Sequence, residues 1–140
     1  MKKTLAAVLT AALIALGLVA VSGGPSNAAC PYSACIDTTT KVRTPGSVKQ
    51  GNSTVVRARV RAAGNARPQG FIRFIVKRKK GGFYFAQLLP YRGGQIGIAT
   101  PRLRKKGKYT AIAKFKPGPG TVWQASQDSR TFKVKKRRNR

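Results

Sequence analysis

The sequence predicts an all-β fold, an antiparallel β-sandwich of about seven short strands. Three observations lead there. Apolar residues alternate with polar ones in short runs, Gly and Pro punctuate those runs, and no amphipathic helical stretch follows the N-terminal segment. Strands of this number and spacing are what a two-layer antiparallel fold needs.

The N-terminal segment reads as an export signal over residues 1–28. Met1-Lys2-Lys3 is a positive start, Leu5 to Val21 is apolar apart from Thr10 and Gly17, and Ser26 and Ala28 offer small residues for cleavage. An uncleaved anchor is the competing reading, because the apolar run reaches the lower edge of a spanning length. A lipoprotein beginning at Cys30 is a lesser alternative, since Asn27-Ala28-Ala29 lacks the expected branched aliphatic residue. Cleavage is expected after Ala28 or Ala29. The remaining chain is expected to be secreted and extracellular, with association to the cell wall as a variant of that reading.

Residues 29–37 form an N-terminal arm holding the only two cysteines, Cys30 and Cys35. In an oxidising exterior a local disulfide is the plain expectation. So short a loop removes little chain entropy, so the bridge would fix the arm rather than the whole domain.

The strands follow in order. Thr38 to Thr44 is the first, ended by Pro45-Gly46, with Val48-Lys49 as a short continuation of it. Thr54 to Ala62 turns Thr54, Val56, Ala58 and Val60 inward and Val55, Arg57, Arg59 and Arg61 outward. Phe71 to Lys77 turns Ile72, Phe74 and Val76 inward. Lys79-Lys80-Gly81-Gly82 marks a hairpin into Phe83 to Leu89, and Gly93-Gly94 leads into Gln95 to Thr100. After Gly107 the alternation is clearest, with Tyr109, Ala111, Ala113 and Phe115 on one face. Pro117-Gly118-Pro119-Gly120 is a stiff loop towards Val122-Trp123. Arg130 to Lys135 closes the sandwich with Phe132 and Val134 inward, and residues 137–140 are a basic tail.

Four of these pieces, in this order, resemble the bacterial Ig-like domain repeat family of secreted and cell-surface modules. They are Gly51 before Thr54, Val56, Ala58 and Val60; Gly70-x-Ile72-x-Phe74; Leu103, Gly107 and Tyr109 continuing to Ala113 and Phe115; and Phe132 with Val134. The resemblance covers residues 38–136 and implies an Ig-like antiparallel β-sandwich, with Gly70, Gly107 and Tyr109 in structural roles. Tyr109 is then expected to turn its ring inward and bond its hydroxyl to backbone at the corner, against the simpler reading of a half-buried aromatic. The chain departs from antibody-type domains in having no cysteine in either central strand and its Trp123 near the end. Such modules serve as spacers, adhesin segments and wall-associated parts, and the fold does not fix a function.

Composition narrows the chemistry. The 140 residues hold 29 Lys and Arg against two acids, Asp37 and Asp128, and no His. Without histidine there is no Ser-His-Asp triad and no imidazole metal site, and the two acids stand too far apart in sequence to suggest a carboxylate pair. The serines sit in no nucleophile motif. No enzyme activity, cofactor, metal or small-molecule substrate is expected, and the oligomeric state is open.

The basic residues form candidate polyanion-binding groups: Arg57, Arg59 and Arg61 on one strand face; Lys77, Arg78, Lys79 and Lys80 at a hairpin; and Arg102, Arg104, Lys105, Lys106 and Lys108 before the sixth strand. Each group alone could be a solvated face that keeps β edges apart. The total argues otherwise, since the net charge of +27 imposes self-repulsion that mixed signs would avoid. The expected partner is an anionic polymer: teichoic acid, acidic polysaccharide, anionic lipid or extracellular DNA, bound by non-specific electrostatics. Phe71, Phe83, Tyr84, Phe85 and Tyr91 are candidate stacking platforms for single-stranded nucleic acid. The alternative function is a cationic secreted effector that attacks membranes or inhibits an acidic partner.

Overall fold

The computed structural model describes residues 35–137. The expected export signal, Cys30 with its expected bridge to Cys35, and residues 138–140 of the basic tail lie outside the described residues.

Every regular element among the described residues is a strand: β1 (Thr38–Arg43), β2 (Ser47–Lys49), β3 (Val55–Ala62), β4 (Gly70–Arg78), β5 (Tyr84–Tyr91), β6 (Gln95–Ala99), β7 (Gly107–Pro117) and β8 (Ser126–Lys135). They form a three-stranded sheet in the order β1-β3-β6 and a five-stranded sheet in the order β2-β8-β7-β4-β5. The sheets enclose one apolar core. It is filled by the alternate residues Val56, Ala58 and Val60 of β3, Ile72, Phe74 and Val76 of β4, Tyr109 to Phe115 of β7, and Phe132 and Val134 of β8. Burying each Val, Ile or Phe side chain contributes about 1.5–3 kcal/mol. The Tyr109 and Phe132 rings stack at 5.6 Å between centroids.

The strand count is eight rather than about seven, and the sandwich is not wholly antiparallel, because β2 runs parallel to β8. Val48-Lys49 therefore does not continue the first strand. At Pro45-Gly46 the chain leaves the three-stranded sheet and joins the edge of the other. There Lys133 N donates to Gly46 O and Gln50 N to Lys135 O. The last strand begins at Ser126, four residues before the alternation at Arg130 announces it. Its polar start has a packing reason. The Thr38 and Thr40 hydroxyls each meet the Ser126 hydroxyl at 2.7 Å, and Val42 N donates to Asp128 Oδ2 at 2.8 Å. These bonds close the free edge of β1 against β8, so one of the chain's two acids is engaged in holding the sheets together.

The hairpin strand β5 ends at Tyr91, beyond the expected Leu89, and Tyr91 is buried rather than exposed. Its hydroxyl accepts from Val60 N at 3.0 Å and donates towards Gly94 O at 2.7 Å, with Val60 O at 3.1 Å. The register of β3 with β6 stops at the pair Arg59 and Gln95, so Val60 and Gly94 would be the next pair. The Tyr91 hydroxyl takes the place of that missing ladder step and ties the five-stranded sheet to the three-stranded one.

Two glycines are fixed by geometry. A Cβ on Gly70 would collide with Lys116 O and lie 2.9 Å from Gly118 N. Gly107 opens β7 at φ +136°, a conformation that L side chains rarely adopt. The Tyr109 hydroxyl, two residues on, donates to Lys105 O at 2.7 Å. Leu103, between these features and the start of β3, is fully buried; its N–H donates to Asn52 O and its carbonyl accepts from Gly51 N.

Candidate functional site

The arginines of β3 face outward because the opposite parity carries Val56, Ala58 and Val60 into the core. Antiparallel pairing then sets Arg57 opposite Arg43 and Arg59 opposite Lys41, both on β1. Directly opposed side chains have Cβ atoms about 4.5–5.5 Å apart, and like charges there destabilise a sheet. On the other side, β6 offers Gln95 and Gly97 and no carboxylate. Asp37 lies before β1, beyond the end of the ladder. Asp128, though part of β8, brings its carboxylate to Val42 N at the edge of β1, leaving one acid beside several cations.

Lys41, Arg43, Arg57, Arg59 and Arg61, with Gln95, line a shallow hollow of about 180 Å³ on this face. Arg59 and Arg61 also border a larger hollow of about 710 Å³, whose rim adds Arg67 and Arg92. The three arginines found in the sequence thus belong to a continuous face of seven cations, six of them arginine. Planar guanidinium groups suit bidentate contact with phosphate or carboxylate oxygens. Alternate residues along β3 stand about 6.7 Å apart, so Arg57, Arg59 and Arg61 present an ordered row of positive charge.

The remaining basic groups do not form a single patch. Lys79, Lys80, Lys106 and Lys108 come together at one end of the sandwich with Lys135 and Lys136, around a hollow of about 910 Å³ floored by Gly107 and Val134. Arg78 borders it but is committed to structure. Its Nε and Nη2 donate to Lys106 O at 3.2 and 3.0 Å, and Nη1 donates to Gly81 O at 3.2 Å. Lys77 lies on the outer face of the five-stranded sheet, between Thr110 and Tyr84. Arg102 borders a separate hollow with Asn52 and Arg137, and the Arg104 carbonyl accepts from Gln50 Nε2. Lys105 reaches back towards Gly82 and offers its carbonyl to Tyr109. The run from Arg102 to Lys108 scatters because residues 100–106 are not a strand and follow the corner around Leu103.

Burial pushes the Tyr109 phenol above its usual value of 10.0, and the nearby Arg78 charge pulls the other way. Of the candidate stacking aromatics, Tyr91 is buried, Phe83 packs edge-on against Tyr109 at 5.5 Å, and Phe85 packs against the core. Only Phe71 and Tyr84 stand exposed. Sequence reasoning missed Lys41, Arg43, Arg67 and Arg92. No signal in the chain pairs them with Arg57, Arg59 and Arg61, since they lie in separate segments that only the register brings together.

No family model matches the chain, and no curated protein matches it. Among solved structures, a superoxide reductase (neelaredoxin) from Ignicoccus hospitalis is 17% identical over 69% of this chain and 80% of its own, with a TM-score of 0.48. A cycloisomaltooligosaccharide glucanotransferase from Paenibacillus sp. is 13% identical over 71% of this chain and 14% of its own, with a TM-score of 0.49. A β-glucosidase from Listeria innocua is 8% identical over 71% of this chain and 16% of its own, with a TM-score of 0.44. At these TM-scores the likenesses carry nothing about function.

Proposed function

We propose that the protein is a secreted, non-catalytic Ig-like module that associates with anionic cell-surface or extracellular polymers through the arginine face of its three-stranded sheet. The observation that carries this reading is the ladder of opposed like charges, Arg43 with Arg57 and Lys41 with Arg59. No acid lies in β1, β3 or β6, and a single carboxylate is nearby, that of Asp128, bonded to Val42 N at the edge of β1. Such a face is costly in isolation and favourable once phosphates or carboxylates lie along it. The Ig-like part of the reading is supported by the strand order, which separates β1, β3 and β6 from β8, β7, β4 and β5, and by the Tyr109 bond to a backbone carbonyl four residues upstream.

The test is retention of the exported protein on purified cell wall bearing teichoic acid, across a salt series. Binding is expected to weaken steeply as salt rises, because each phosphate that is neutralised releases counterions. In the variant Arg57→Gln/Arg59→Gln/Arg61→Gln the slope is expected to become shallower, by roughly one for each phosphate that is no longer engaged. Retention independent of salt, or absent at low salt, overturns the proposal.

A further inference from the structure

The edge strand β5 is anomalous in its composition. From Tyr84 to Tyr91 it carries no charged residue, in a chain with 29 lysines and arginines. Exposed sheet edges ordinarily carry charge, lysine above all, to keep other strands from pairing with them. Its outer face is instead Tyr84, Ala86, Leu88 and Pro90, and Phe71 of β4 pairs with Pro90 beside it. Tyr84 is 62% exposed, Leu88 57% and Phe71 41%, three of the four exposed large hydrophobic residues among those described. They cluster on two neighbouring strands of one face.

Cations stand directly behind this apolar edge. Lys77 pairs with Tyr84 and Arg73 with Leu88; across β4, Lys114 pairs with Arg73 and Lys116 with Phe71. An aromatic and aliphatic edge backed by a row of lysine and arginine matches the layering of a bilayer interface. Tyrosine and leucine settle at the boundary of headgroup and acyl chain, while long cationic side chains reach the lipid phosphates. A second copy of this chain does not suit the surface, since each copy brings a large positive charge to the contact. A soluble polyanion would use Arg73, Lys77 and Lys114 but leave Tyr84 and Leu88 in water.

We propose that the outer face of β4 and β5 docks on an anionic lipid bilayer, with Tyr84 and Leu88 entering the interface and Arg73, Lys77 and Lys114 meeting the phosphates. The proposal rests on the reading of an exported cationic module but uses the opposite sheet from the arginine face, so the two can fail separately.

The experiment compares co-sedimentation of the exported protein with phosphatidylglycerol–phosphatidylcholine vesicles and with pure phosphatidylcholine vesicles. Wild type is expected to bind the anionic vesicles alone. Tyr84→Ser/Leu88→Ser should bind them roughly tenfold more weakly, with unchanged elution from teichoic-acid-bearing wall and an unchanged melting curve. Arg57→Gln/Arg59→Gln should do the reverse. As an independent reading, Tyr84→Trp should show a blue-shifted emission on adding anionic vesicles that the wild type, with Trp123 alone, does not. Vesicle binding unaffected by the Tyr84 and Leu88 changes overturns the proposal. So does vesicle binding indifferent to lipid charge, or a serine variant that loses single-stranded DNA binding or self-association and nothing else.

Discussion

Two tyrosines hold this sandwich at points where the strand ladders fail, and only one of them could be read in advance. Tyr109 follows Gly107 at the head of the strongest alternation in the chain, a position from which its hydroxyl reaches the Lys105 carbonyl. Tyr91 sits after a proline in a strand of mixed pattern, and nothing local marks it as the group that bridges Val60 and Gly94. The Tyr109 phenol gives a prediction with a definite sign. Its pKa is raised in the folded state, so the unfolded chain loses this proton first as pH climbs past 10.0. The contribution is fully present below that pH and is lost as pH rises through the folded value. Tyr109→Phe should cost about 0.5–1.5 kcal/mol at neutral pH through the lost hydrogen bond. Relative to the wild type, its stability should then decline less steeply above pH 10.0. Urea unfolding of both proteins across the alkaline range measures the difference, in which the lysine titrations common to both cancel.

At the scale of the element, inward and outward faces were legible wherever a strand is buried on one side. Val56, Ala58 and Val60 against Arg57, Arg59 and Arg61 is such a case, and the structure keeps both sets where alternation places them. What alternation does not contain is which strand lies beside which. β1 and β3 pair across the β2 excursion, so the opposition of Arg43 and Arg57 depends on a register that no short hairpin announces. The polar start of β8 was illegible for another reason: Ser126 and Asp128 face inward to bond β1 rather than to bury apolar area. Gly70 shows how tightly one pairing is set. It lies where β4 meets the end of β7, and any side chain there runs into the Lys116 carbonyl. Gly70→Ala should cost on the order of 1–3 kcal/mol, as overpacking against rigid backbone does. Gly46→Ala, with nothing within 4 Å of the added carbon, should be close to neutral. The check is the urea midpoint, which should fall for the first variant at constant slope and hold for the second.

For the whole molecule, charge and fold pull against each other, and salt tells which wins. The core is apolar and, among the described residues, the buried side-chain polar atoms are all hydrogen-bonded, so packing itself is insensitive to moderate ionic strength. The surface is different. With a net charge of +27 in the full chain, folding brings the cations nearer to one another than in an expanded chain. Opposed pairs such as Lys41 and Arg59 concentrate that repulsion on one sheet. Added salt shortens its reach, to about 10 Å at 0.1 M and about 3 Å at 1 M. The melting temperature should therefore rise with sodium chloride, and most of the gain should come below the concentration at which the screening length matches the spacing between neighbouring strands. A protein held together by surface ion pairs would show the opposite sign. Replacing Arg57 and Arg59 by glutamine should raise the low-salt melting temperature by roughly a few degrees and flatten the salt dependence. Calorimetric melts of wild type and this variant over a sodium chloride series decide the matter. A wild-type melting temperature that falls as salt is added would mean that attraction outweighs repulsion on this surface, and would remove the reason for seeking the missing counter-charge on a partner.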